Sequence, residues 1–250
     1  MNQQKYAFKN YIFDFYGTLV NIETDESSPV LWETMAQIYQ SYGAHYTGES
    51  LQVRYKELVK QAEEGISKEK QVTYPEIDLT VIFVQLYLET HPTGASVHHL
   101  KEWGRLIART FRVLSRKRLE LYPHTKEVLE DMKAAGCLIY LLSNAQADFT
   151  NPEIDLFGLR EIFHDIYLSS DAGIRKPQPE FLMKVIKEHQ LNPDKTVMVG
   201  NDFTTDVAVA KSIGMQSILI NTFPYSDEEL RDRSQAGVRV IRDIQELQEV

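Results

Sequence analysis

Cysteine is almost missing from this chain. Cys137 stands alone among 250 residues, so no disulfide can close within it, and its place in the apolar stretch GCLIYLLS makes it a packing residue. Long hydrophobic runs are missing too. Nothing approaches the roughly 18 consecutive apolar residues of a membrane-spanning helix, and the opening MNQQKYAFKN lacks the charged-then-apolar order and the small-residue cleavage site of a secretory signal. A cytoplasmic enzyme is the resulting expectation. Excess positive charge is absent: 27 Lys and Arg face 36 Asp and Glu, a net charge of −9. That balance speaks against a nucleic acid gripped through its phosphates, and it requires any anionic substrate to meet cations placed locally. Repeats and low-complexity tracts are also absent, and His91, His98 and His99 form no metal-ligand spacing with a carboxylate.

What is present is a globular composition, 43% hydrophobic and 25% charged, enough to bury one or two cores. Short apolar runs end repeatedly in polar or turn residues: YIFDF (11–15), CLIYLLS (137–143), DIYLS (165–169), TVMVG (196–200), SILI (217–220) and VRVI (238–241). These read as buried strands of a parallel sheet. Helical patterns at about 125–135, 178–189 and 204–213 alternate with the later strands, which predicts an α/β fold with a doubly wound, Rossmann-like sheet. The block from about 25 to 116 carries apolar residues at three- and four-residue spacing in four successive segments instead. It predicts an inserted all-helical cap, 19–116, over a core made of 1–18 and 117–250, with linkers near 19–28 and 115–121.

Ligands of open α/β sheets sit beyond the carboxyl ends of the strands, and four predicted strand ends deliver polar groups there. The first ends at Asp14, the second at Ser143 and Asn144, the third leads to Arg175-Lys176-Pro177, and the fourth ends in Gly200-Asn201-Asp202 with Asp206 just beyond. Each group alone has an ordinary explanation. A lone Asp forms turns, a Ser-Asn pair caps helices, two acids charge a helix start, and a lysine before proline is solvated. Together they suit nucleophilic attack on an anionic electrophile. Asp14 and Asp202 would repel each other unless a cation lay between them, and oxygen ligands without His or Cys suit Mg²⁺. Lys176, Ser143 and Asn144 would then hold the substrate's oxygens.

Four motifs in this order, DFYGTLV (14–20), LLSNA (141–145), RKPQP (175–179) and VGNDFTTD (199–206), resemble those of the haloacid dehalogenase-like hydrolase superfamily, in its branch with a helical cap between the first two motifs. The resemblance implies that Asp14 is the nucleophile and forms an aspartyl-phosphate, and that Ser143 and Lys176 hold the transferring group. It further implies that Thr18 shapes the turn beside the substrate. Asp14, the backbone carbonyl of Tyr16, Asp202 and Asp206 would serve Mg²⁺. The expected partner is a small phosphorylated molecule, with no nucleic acid or membrane, and the chain would act as a monomer or homodimer.

Tyr16 departs from the pattern. The family's phosphatases carry there an aspartate that protonates the leaving oxygen, help of a kind typically worth about 10²–10⁴ in rate, whereas a phenol with a reference pKa of about 10 does this poorly. The 2-haloacid dehalogenases of the family do carry tyrosine, because a halide needs no proton. Asp202 points the other way, since a metal-free site has no use for its charge. A metal-dependent phosphatase is therefore the expectation, with a carbon-attacking hydrolase and a low-turnover binding protein as alternatives. In the cap, Trp32, Tyr39, Tyr55, Tyr74, Arg105 and Arg109 are candidate substrate contacts, with packing the expected role of most of the aromatics. Lys56 and Lys60 read as a solvated helix face.

Overall fold

The computed structural model describes residues 5–91, 97–222, 225–234 and 238–248. Six parallel strands form the core sheet: β1 (Asn10–Phe13), β4 (Leu138–Ser143), β5 (Asp165–Leu168), β6 (Thr196–Gly200), β7 (Gln216–Ile220) and β8 (Arg239–Ile241), in the order β5-β4-β1-β6-β7-β8. Strand β1 is central because its residues are apolar on both faces. Tyr11 and Phe13 point into one layer, with Val128, Leu129 and Met132, while Ile12 points into the other, with Phe181, Leu182 and Val185. These partners lie on α5 (Thr125–Ala134) and α8 (Pro179–Glu188), so helices cover both sides of the sheet, as a parallel sheet requires.

The expected strands all occur, with ends moved by a residue or two. One core helix escaped the sequence pattern: α6 (Ala147–Leu156), whose Pro152 lies inside the helix and breaks the usual signal. The helix predicted over 204–213 begins instead as a π-helical turn, Phe203–Val207, before α9 (Ala208–Ser212). A one-turn helix α7 (Ser169–Ala172) and the peripheral α10 (Asp227–Ser234) complete the core.

The insert folds as four helices, α1 (Pro29–Ser41), α2 (Gly48–Lys70), α3 (Leu79–Glu89) and α4 (Leu100–Ser115). They enclose their own aromatic core, in which Trp32, Tyr39 and Tyr55 are buried with Phe83, Tyr87 and Phe111. The two linkers are not loose: β2 (Val20–Thr24) pairs antiparallel with β3 (Arg116–Leu121), so the cap hangs from a two-stranded ribbon. A second tie lies on the far side of the cap. There Pro75 bridges Ile174, the Arg175 amide donates to the Tyr74 carbonyl at 3.0 Å, and the Glu76 amide donates to the Gly173 carbonyl at 3.2 Å. The cap therefore rests on the loop that carries Lys176. Among the described residues, no helix is long and apolar enough to cross a membrane.

Candidate active site

The central strand delivers Asp14 where its ladder ends. The Asp14 amide still donates to the Val199 carbonyl at 2.9 Å, and the chain then turns so tightly that the Phe15 carbonyl accepts the amides of both Leu19 and Val20, at 2.8 and 2.9 Å. Gly17 makes the turn possible. Its φ is +81°, and a Cβ there would lie 2.6 Å from the Asn201 side chain. Sequence patterning thus places a carboxylate at a strand end, and the turn keeps it only 7% exposed.

Three loops converge on that carboxylate. Ser143 Oγ, at the end of β4, donates to Asp14 Oδ1 at 3.0 Å. Lys176 Nζ donates to Asp14 Oδ1 at 2.7 Å, to Asp206 Oδ1 at 2.6 Å and to the Leu142 carbonyl at 2.8 Å, which uses all three of its protons. Burial would by itself lower the pKa of Lys176, but the charges of Asp14 and then Asp206 outweigh it and the pKa is raised. The ammonium therefore stays charged at 2% exposure. Asp206 is held up chiefly by burial, against the pull of Lys176.

Asp206 stands apart from the ligand role the resemblance implied. Its Oδ2 accepts the amides of Asn201 and Asp202 at 3.0 and 3.1 Å while Oδ1 takes Lys176, so both oxygens brace the loop. The π-helical turn produces this pose, because the amides of Asp206 and Val207 both reach the Asp202 carbonyl. Gly200 makes room for it, since a Cβ there would lie 2.2 Å from the Asp206 carboxyl. Asn144 also differs from its expected role. Its Oδ1 accepts the Lys176 amide at 2.7 Å and its Nδ2 donates to the Lys176 carbonyl at 2.9 Å. The side chain clamps the lysine loop.

Oxygens suited to a hard cation remain. Asp14 Oδ2 has only a 3.4 Å contact from Thr18 Oγ1, which also lies 3.2 Å from Asn201 Oδ1. Asp202 Oδ1 caps the next turn, accepting the Thr204 amide and hydroxyl at 2.5 and 2.7 Å. Among the described residues no hydrogen bond reaches its Oδ2 or the Tyr16 carbonyl. No group of three or more His, Cys, Asp or Glu poised for a metal occurs among the described residues. A cation here would rest on two carboxylates, a carbonyl and its own waters, the arrangement Mg²⁺ tolerates best.

Tyr16 turns away from Asp14. Its hydroxyl donates to Glu153 Oε2 at 2.5 Å and lies 3.0 Å from Thr150 Oγ1, both on α6. Arg112 of α4 sits over the ring at 5.0 Å and grips Glu153 through two hydrogen bonds, at 2.9 and 3.1 Å. Arg116 of the ribbon adds a third, at 3.1 Å. Burial raises the Tyr16 pKa far above the phenol value. Nothing in the sequence marked Glu153, Arg112 or Arg116: an acid after a proline and two arginines near a helix end read as surface.

The candidate cap residues scatter. Trp32, Tyr39 and Tyr55 are packing residues, Tyr74 is exposed beside the second tie, and Lys56 and Lys60 are exposed. Arg105 and Arg109 reach Asp148 at 3.5 and 3.4 Å, beside a cleft of about 850 Å³ between cap and core. Asp14, Ser143 and Lys176 do not line that cleft.

Asp14, buried at the end of the central strand of a Rossmann-like sheet, is bonded by Ser143 and Lys176 from two further loops, and Asp206 of a third loop holds the same lysine. The chain belongs to the haloacid dehalogenase-like hydrolase family, whose family model matches residues 8–214. Among curated relatives, the glyceraldehyde 3-phosphate phosphatase of Methanothermobacter thermautotrophicus is 27% identical over 133 residues, 53% of this chain and 59% of that protein. The phosphoglycolate phosphatase of Vibrio vulnificus is 30% identical over 109 residues, 44% of this chain and 47% of that one. The chain thus spans about half the length of the curated relatives it matches. Two solved structures share the fold across nearly their whole length. The 2-haloacid dehalogenase of Pseudomonas syringae pv. Tomato has a TM-score of 0.62 and 20% identity, covering 97% of both chains. The HAD phosphatase of Thermococcus onnurineus has 0.60 and 20%, covering 96% of both. The fold is common to both chemistries and does not choose between them.

Proposed function

We propose that the protein is a Mg²⁺-dependent phosphatase of a small phosphorylated metabolite, acting through an aspartyl-phosphate at Asp14. One observation carries the reading: Asp14 commits Oδ1 to Lys176 and Ser143 and leaves Oδ2 almost unbonded where three loops meet. A carboxylate fixed through one oxygen and free at the other is oriented for attack. The phosphatase names of the curated relatives support phosphorus as the target.

In this reading Asp14, Asp202 and the Tyr16 carbonyl would hold Mg²⁺, which when bound supplies positive charge against the transferring phosphoryl group. Lys176 adds a fixed positive charge at Asp14 Oδ1, and the Ser143 and Thr18 hydroxyls would orient the phosphoryl group. Asn144 and Asp206 act at one remove, the first by clamping the backbone of Lys176 and the second by holding its ammonium. Cap and core tied at both ends limit the water that reaches Asp14.

The test is release of phosphate from p-nitrophenyl phosphate and acetyl phosphate, with Mg²⁺ and with EDTA, using Asp14→Asn as the blank. Release that needs Mg²⁺ and disappears in the variant is expected. A second reading, metal-free attack on carbon, is favoured by the commitment of the Tyr16 hydroxyl to Glu153, because a halide leaves without a proton. Chloride released from 2-chloropropionate in EDTA, with no phosphatase activity, would replace the first reading with the second.

A further inference from the structure

We infer that the site selects phosphoryl donors whose leaving group departs as a stable anion, acyl and aryl phosphates, over alkyl phosphate monoesters. The inference rests on the phosphatase reading and names its substrate class. It follows from where the protons around Asp14 already go.

A leaving alkoxide needs a proton as the P–O bond breaks, and a donor must lie within hydrogen-bond reach with its proton free. Each candidate among the described residues is engaged. All three N–H bonds of Lys176 point at Asp14, Asp206 and the Leu142 carbonyl. Both oxygens of Asp206 accept hydrogen bonds. The Ser143 and Thr18 hydroxyls face carboxylate or amide oxygens and are poor acids in any case. The Tyr16 hydroxyl donates its hydrogen bond to Glu153, which also accepts from Arg112 and Arg116. Turning Tyr16 toward Asp14 would break that bond and lift its ring from beneath the Arg112 guanidinium.

The chemistry balances without a proton donor when the leaving group is a carboxylate or a phenolate. An oxygen of Asp14 forms a bond to phosphorus, the P–O bond to the leaving group breaks, and its electron pair departs on the leaving oxygen as an anion. Water then adds to phosphorus, the bond between phosphorus and Asp14 breaks, and the carboxylate is restored. Both protons of the water leave on dihydrogen phosphate. An alkyl monoester stalls at the first step, because its alkoxide has no acid to meet it.

The experiment compares kcat/KM for p-nitrophenyl, phenyl and benzyl phosphate with Mg²⁺ present. These keep one ring while the leaving group becomes steadily more basic. Acetyl phosphate serves as the acyl example. The expected result is a fall of about 10²–10⁴-fold from p-nitrophenyl to benzyl phosphate, the size of the acid help that is missing. Tyr16→Phe should shift the three aryl and benzyl substrates by a common factor and leave the trend as steep. A series flat to within about tenfold, or a variant that loses benzyl phosphate selectively, would overturn the inference and leave the phosphatase reading standing. No phosphate from any substrate, acetyl phosphate included, would overturn the phosphatase reading itself.

Discussion

Asp14 and Tyr16 stand two residues apart on one turn, yet they anchor two buried charge clusters of opposite character. Glu153, 3% exposed, spends its whole accepting capacity: Oε1 takes Arg112 and Arg116, and Oε2 takes Arg112 and Tyr16. Asp14 spends only one oxygen on strong partners. The first cluster joins the cap helix, the ribbon and the core helix α6, and its carboxylate has no accepting capacity left. The second holds a reactive group in place and keeps a valence open. A saturated ion cluster builds structure, whereas an unsaturated one, oriented by its neighbours, is equipped for chemistry.

Substitutions can break that contrast. The largest effect is expected from Lys176→Met, which should lower phosphate release by about 10²–10³-fold, as loss of one fixed charge-stabilising donor does. It should also change stability with pH. Burial raises the Asp206 pKa from the ordinary carboxylate value of 3.8 to about 6, so between those values the native chain holds a proton that the unfolded chain has lost, and raising pH costs stability. Without the lysine this loss should deepen and extend to higher pH. Urea melts of the variant from pH 4 to 8 would show it, and a pH-independent difference from the parent would contradict the account.

Next in size is Glu153→Ala, which leaves Arg112 and Arg116 without their shared counter-charge. Breaking a buried pair of this kind costs about 3–5 kcal/mol, measurable by urea denaturation. The saturated cluster predicts this loss even without metal or substrate. A loss below about 1 kcal/mol would mean that the arginines find other partners and that the cluster is not what joins cap to core.

The smallest effect belongs to Tyr16→Phe. It removes one hydrogen bond to a charged acceptor and keeps the ring under Arg112, a cost of about 1.5–3 kcal/mol. Thermal melts of the single and double variants with Glu153→Gln should be non-additive, because both remove the same contact. Additive losses would place Tyr16 outside the cluster in solution.

Much of this was legible in the residues. Short apolar runs ending in polar groups are dictated by burial on both faces of a parallel sheet, so YIFDF and TVMVG announced themselves, and with them the loops bearing Asp14, Ser143, Lys176 and Asp202. The four cap segments showed their helical spacing equally well. Elements whose signal is interrupted were not legible. Pro152 concealed α6, and the β2–β3 ribbon read as two linkers, because a two-stranded ribbon declares itself only when its partner, some hundred residues away in sequence, is beside it. Asp206 and Asn144 were recognisable as members of the site. What each holds depends on a π-helical turn and on a loop from another crossover.

The sequence by itself determined the layered α/β core, the helical spacing of the four inserted segments and the family, because periodicity and local motifs are written in consecutive residues. Tertiary structure alone decided which way Tyr16 faces. A tyrosine beside Asp14 could point inward or outward on local grounds. Its hydroxyl goes to Glu153 because Glu153, Arg112 and Arg116, brought from α6, the cap and the ribbon, form a buried charge network in which the phenol supplies one hydrogen bond.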